Sequence, residues 1–150
     1  MNGIIKVLAE ELKLLEEASK TLNYSYLKCS KIGIKKEYSD VELESLDSLT
    51  SRFARLSDIL IQKIFRMIEK IDLDEEGAVR DRINNAEKKG LISNADTFIE
   101  IRELRNIIAH EYIPEAIKKI FVSVLEFSPV LINSFELVKN YCREKYKIEI

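Results

Sequence analysis

The chain contains a single histidine, His110, and it lies in a short run rich in polar and ionisable side chains: Arg105, Asn106, His110, Glu111 and Tyr112. An imidazole exchanges its proton near neutral pH, which is what a general acid or base must do. Asn106 precedes His110 by one helical turn, so its amide is placed to reach the ring and fix the tautomer. On a helical wheel Phe98, Ile101, Leu104, Ile108 and Tyr112 form an apolar arc, and Arg105 points into it, about 30° from the centre. An unpaired guanidinium is costly in such surroundings, so a partner is required. That partner is a carboxylate within the core, a second copy of the chain, or an anionic ligand. Arg105 and His110 stand five residues apart, hence about 140° apart on a straight helix. A site using both is therefore expected to be completed across a two-fold axis. Tyr112, seven residues after Arg105, falls only about 20° from it, which predicts a phenol close to the guanidinium.

These residues need a helix to hold them, and the sequence supplies several. Ile5, Leu8, Leu12, Leu15, Ala18 and Leu22 recur at helical spacing and predict a first helix from about Asn2 to Ile32, stopped by Gly33. The segment Ile34 to Ser39 reads as a loop. Ser39 or Asp40 caps a second helix that runs to about Ile71, with Leu49, Phe53, Leu56, Leu60, Ile64, Met67, Ile68 and Ile71 on its apolar face. Its Arg52, Arg55, Lys63, Arg66 and Lys70 fall in a stripe about 80° wide on the other side. Such a stripe, with Arg102 of the motif helix, is a candidate contact for phosphates or for an acidic partner. Asp58 and Glu69 lie beside it, as on an ordinary solvated face, which is the commoner case. Asp72 to Gly77 is a polar break, and a short helix from Val79 to Lys89 ends at Gly90. Ser93 or Asn94 opens the helix that carries the motif. Pro114 cannot sit in the body of that helix, so the motif occupies its last turns and the corner that follows. Pro114 starts a final helix to about Lys147, with Pro129 as a candidate kink. The expectation is one all-α domain over residues 1–150, an antiparallel four-helix bundle with an additional short helix.

Composition narrows the class of function. Hydrophobic residues make up 46% and charged residues 33%, with four Gly and two Pro, the balance of a globular chain with few turns. No signal-peptide pattern is present at the N-terminus. The most apolar run, Ile120 to Ile132, is broken by Glu126 and Pro129 and reads as a core helix. Cys29 and Cys142 form no paired motif and read as reduced thiols, which points to the cytoplasm. One histidine and two isolated cysteines lack metal-ligand spacing, so no metal and no cofactor is expected. The net charge of −2 and pI near 5.6 are not those of a protein that coats nucleic acid. Any dealing with RNA must then go through a local patch or a composite cleft.

An arginine four to six residues before the one histidine arises by chance in roughly one chain in six, but the full string is far more specific. Arg105-Asn106-Ile107-Ile108-Ala109-His110-Glu111-Tyr112 resembles the Arg-x4-His-x-Tyr motif of the HEPN superfamily. The segments from Arg52-Phe53-Ala54-Arg55-Leu56 and Ala86-Glu87-Lys88-Lys89-Gly90-Leu91-Ile92 are also similar to HEPN toxins encoded beside a minimal nucleotidyltransferase antitoxin. The resemblance covers about two thirds of the chain, and the N-terminal helix adds nothing to it. It implies an all-α homodimer that cleaves RNA without a metal and is neutralised by the nucleotidyltransferase. On that basis Arg105 and His110 are catalytic, Asn106 supports them, and Tyr112 is the hydroxyl to which the antitoxin transfers AMP. The chemistry agrees, since a histidine can move protons and an arginine fork suits phosphate charge. The alternative is a non-catalytic substrate-binding or regulatory subunit of a nucleotidyltransferase, which the acidic pI fits slightly better. A third reading is an oligomeric scaffold in which Arg105 merely closes an ion pair.

Overall fold

The computed structural model describes residues 2–75 and 77–150. All regular structure among them is helical: α1 (Asn2–Ile32), α2 (Asp40–Asp58), a π-helical segment (Ile59–Ile64), α3 (Phe65–Asp72), α4 (Val79–Lys89), α5 (Ala95–His110) and α6 (Pro114–Tyr146). The boundaries follow local chemistry. Ser39 caps α2 by accepting from the Glu42 N–H, while the Glu42 carboxylate accepts from the Ser39 N–H, a reciprocal capping box. Asn94 caps α5 through the Thr97 N–H. α4 ends at Gly90 with φ of 79°, a left-handed turn that glycine adopts without steric penalty. α3 ends on Leu73, also left-handed with φ of 59°, where no residue type announces the stop.

The core is built from the apolar faces of every long helix. Leu8, Leu12, Leu15 and Leu22 of α1 meet Leu46, Leu49, Phe53 and Leu56 of α2, and Phe121, Val124, Leu131 and Val138 of α6 close the same cluster. α5 packs on α2, α4 and α6 and contributes Phe98, Ile101 and Leu104. Cys29 and Cys142 are free and fully buried, and burial pushes the Cys142 thiol up to about 12. α6 runs as one helix through Pro129. An 18-residue window of it has mean hydropathy 1.5 and is 39% buried, so by length and composition this helix is apolar enough to cross a membrane. Reading uninterrupted runs hides this, because Glu126 and Pro129 divide the segment without making it polar.

Two features depart from the expected long second helix. The chain does run on from Asp40 to Asp72, but between Ile59 and Ile64 the hydrogen bonds reach one residue further, as where the Phe65 N–H meets the Leu60 carbonyl. The wider turns advance the side chains by a smaller angle per residue, so positions after Ile64 leave the phase an ideal α-helix would give them. In addition, Glu69 is not solvated but 2% exposed. It accepts from Arg82 Nε at 3.1 Å and Asn85 Nδ2 at 3.2 Å, binding α3 to α4. A second polar junction lies nearby. Asp72 accepts from Lys89 at 2.7 Å and from the hydroxyls of Tyr141 and Tyr146 at 2.5 Å each, tying α3 and α4 to the end of α6.

Candidate functional site

Arg105 sits on the rim of the apolar face of α5. Phe98, Ile101 and Leu104 are buried, whereas the Arg105 side chain keeps 31% of its surface. Arg105 therefore lies off the centre of the apolar arc and is partly buried. Of the three partners its charge could have had, the structure supplies a carboxylate from the same chain. Arg105 Nε donates to Asp58 Oδ1 at 2.6 Å and Nη2 donates to Oδ2 at 2.8 Å. The hydrogen bonds to Asp58 raise the arginine's pKa above its ordinary value, against a smaller opposing effect of partial burial.

The edge that Asp58 occupies decides what the arginine can still do. A guanidinium has five N–H donors, and the side-on pair uses two of them, one on Nε and one on Nη2. The end-on fork of Nη1 and Nη2 is left without a second partner among the described residues. Asp58 therefore anchors the arginine without consuming the edge best suited to a phosphate or carboxylate.

That fork borders a groove of about 680 Å³ between the π-helical segment and α5, lined by Arg55, Asp58, Lys63, Arg102, Arg105 and Asn106 among others. Four of these are cations and one is an anion, in a chain whose net charge is −2. Arg55, Lys63 and Arg102 make no ion pair among the described residues. The groove is thus a local reversal of sign, the kind of place where an anion is held. π-Helical turns recur at functional sites because they redirect side chains, and here they present Gln62 and Lys63 to the groove.

The other expected residues are distributed as follows. Arg52 is half-buried and held by α1, donating to Ser25 Oγ at 2.7 Å and to the Thr21 carbonyl at 3.5 Å; it does not border the Arg105 groove. Arg66 and Lys70 are exposed and also lie outside it. The basic stripe is thereby divided, with Arg55 and Lys63 at the groove and the rest elsewhere. His110 is the last residue of α5 and is exposed. Among the described residues no hydrogen bond joins it to Asn106, so the expected tautomer lock is not formed. Asn106 instead turns to the groove. Tyr112 does not continue the helix. The chain becomes extended at Glu111, and Tyr112 is 82% exposed in the corner before Pro114. Its expected approach to Arg105 assumed two more helical residues, and the structure does not make it.

The eight-residue motif is consequently split in space. Arg105 and Asn106 serve the groove, and His110 and Tyr112 serve the exposed corner. Ile107 and Ile113, 51% and 62% exposed, flank that corner and give it an unusually apolar surface for a chain this charged. Among the described residues no group of three or more His, Cys, Asp or Glu side chains is placed to hold a metal ion. No family model matches the chain, and no curated protein matches it.

The residue that sequence reasoning missed is Asp58. The need for a counter-charge to Arg105 was legible, but Asp47, Asp58 and Glu69 all lie on the facing helix. Only the packing of α5 on α2, across 47 positions of sequence, selects Asp58.

Proposed function

We propose that this chain is a HEPN-type, metal-independent endoribonuclease toxin acting in the cytoplasm and neutralised by a minimal nucleotidyltransferase. In this reading α1, α2 with α3, α5 and α6 form an antiparallel four-helix bundle, with α4 as the added short helix. The observation that carries the proposal is Arg105 anchored by Asp58 with its outer fork free in a basic groove, on the helix that ends in the one histidine.

The chemistry requires three acts on one phosphodiester. A base removes the proton of the ribose 2′-hydroxyl, and that oxygen attacks phosphorus. The pentavalent intermediate gathers negative charge, which the Arg105 fork is suited to meet. The bond to the 5′-oxygen then breaks as an acid protonates it, leaving a 2′,3′-cyclic phosphate and a free 5′-hydroxyl. One histidine cannot conveniently be base and acid together. Two copies of His110 related by a two-fold axis could divide these roles, and the apolar corner around Ile107 and Ile113 is a reasonable surface for the pairing. Arg105 and His110 lie on different faces of one protomer, so a homodimer is integral to the proposal.

Tyr112 has the exposure an acceptor of AMP needs. An adduct there would not act by neutralising Arg105, because the helix ends at His110 and Tyr112 lies in the corner beyond it. It would act by placing a bulky anion beside His110 and the dimer surface.

Purified protein incubated with RNA and EDTA should cleave it to 2′,3′-cyclic phosphate ends, and His110→Ala should abolish cleavage with an unchanged melting curve. Full activity in His110→Ala, or a monomer by light scattering at micromolar concentration, rules the proposal out. Mass spectrometry after co-expression with a nucleotidyltransferase partner should find AMP-sized additions on the peptide containing Tyr112. A second reading is a non-catalytic nucleotidyltransferase subunit, favoured by the acidic net charge; it predicts partner binding without RNA cleavage.

A further inference from the structure

The Arg105 groove does not end at the π-helical segment. It meets a second depression of about 290 Å³ at Arg55 and Ile59, whose far wall is α1 with Leu14, Ala18 and Thr21. That depression in turn meets a third, of about 210 Å³, at Arg52, bordered by Tyr24 and Lys28 of α1 and Ser45 and Ser48 of α2. The second and third lie along the seam between α1 and α2, and the Arg105 groove adjoins the inner end of that seam across Arg55 and Ile59. From Ser45 to Lys63 the seam is about 25 Å long at the helical rise.

Its charge is one-sided. Lys28 and Arg52 line its outer part and Arg55 its middle, and Lys63, Arg102 and Arg105 line the inner groove. Against these six cations stand three carboxylates, Glu17, Glu44 and Asp58, leaving a local excess of three positive charges on a chain of net −2. Among the described residues, Arg105 alone of the six is paired to a carboxylate. Arg52 is held in place by Ser25 and Thr21, both neutral, so its charge is fixed in position and left uncompensated. At the outer end the Tyr24 ring is 64% exposed.

We infer that the α1–α2 seam is a binding track for single-stranded RNA that feeds the Arg105 groove, with Tyr24 as a stacking platform for a base at its outer end. The inference rests on the ribonuclease reading for the identity of its ligand. A row of cations ending in an exposed aromatic ring matches how single strands are gripped, through phosphates and base faces and without sequence preference. A seam of this length accommodates roughly four to eight nucleotides, according to how far they are stacked. An acidic peptide would use the cations but would have no use for the Tyr24 ring.

The test uses the whole chain carrying His110→Ala, so that RNA is not cut, and fluorescence anisotropy with oligouridylates of about two and about ten nucleotides. The longer strand should bind at least tenfold more tightly than the shorter, and more tightly than an RNA duplex. Tyr24→Ala should weaken the longer strand roughly 5- to 100-fold and leave the shorter unaffected. Lys28→Ala should lower the salt dependence of the longer strand by about 0.7 in log–log slope. Both residues are exposed, and a melting curve checks that the variants fold. Equal affinity for the two strand lengths, no effect of Tyr24→Ala and Lys28→Ala, or tighter binding of polyglutamate than of RNA each overturns the track. The ribonuclease reading fails separately: length-dependent binding sensitive to Tyr24, with no cleavage by the wild-type protein, keeps the track and removes the nuclease.

Discussion

Replacing Asp58 with Asn separates the anchoring of Arg105 from its chemistry. The substitution keeps an oxygen that can accept from one guanidinium nitrogen and removes the charge and the second acceptor. The two side chains keep 31% and 41% of their surface, so the pair belongs with partly solvated ion pairs, whose net contribution is about 0.2–1 kcal/mol. For a chain of 150 residues that lowers the melting temperature by about 1–4 °C. The same free energy sets how often the arginine holds its anchored orientation, and about 1 kcal/mol corresponds to a roughly fivefold change in population. RNA cleavage by Asp58→Asn should therefore fall by no more than about fivefold. On the ribonuclease proposal, Arg105→Ala, which removes the fork assigned there to the phosphate, should fall by about 100- to 1000-fold. Single-turnover cleavage of a labelled RNA, read beside melting curves, makes the comparison. Asp58→Asn as inactive as Arg105→Ala while still folded would refute the anchoring argument and place Asp58 in direct contact with the reaction. A rise in activity would refute it in the opposite direction, by showing that the carboxylate competes with phosphate for the arginine.

Other consequences can be tested apart from RNA. Burial alone would raise the Asp72 pKa, but hydrogen bonds from Lys89, Tyr141, Tyr146 and Lys145 outweigh it and bring the group from 3.8 down to about 2. A depressed carboxylate stabilises the fold above its unfolded pKa and loses that contribution as pH falls through the folded one. The urea midpoint of the wild type should thus drop between pH 4 and pH 2, by a loss of about 2 kcal/mol, and that part of the drop should vanish in Asp72→Asn. Glu69→Ala leaves Arg82 buried without its carboxylate and should destabilise the fold by about 3–5 kcal/mol, whereas Lys70→Ala, one residue on and exposed, should leave the urea midpoint nearly unchanged. Cys29 and Cys142 should resist a thiol reagent in the native state and react fully in denaturant, since both are completely buried and burial raises both thiol pKa values.

What could be read from sequence here was whatever local chemistry decides. Gly33, Ser39, Gly90, Asn94 and Pro114 set helix ends through φ, side-chain capping and a missing N–H, all properties of one or two residues, and the helices begin and end where those residues require. Leu8, Leu12, Phe53, Ile101 and Val124 are core because burial follows period, and period is visible in a string. The parts that stayed hidden depend on phase or on distant pairing. Nothing in Ile59-Leu60-Ile61-Gln62-Lys63-Ile64 signals wider turns, since no glycine or proline marks them, yet those turns carry Gln62 and Lys63, which line the groove, and shift the phase of the residues after them. Tyr112 was placed beside Arg105 by extending an ideal helix past its true end at His110, and two residues of extended chain were enough to carry the phenol away. Asp58 and Glu69 look alike on a wheel, two acids beside a basic stripe, but one anchors Arg105 at a rim and the other holds Arg82 in the interior. Which acid meets which base is fixed by how α4 and α5 dock on α2 and α3, and docking is a property of the packed core. The groove inherits that division: the motif supplies Arg105 and Asn106 to it, while Arg55, Lys63, Arg102 and the anchoring Asp58 come from outside the motif.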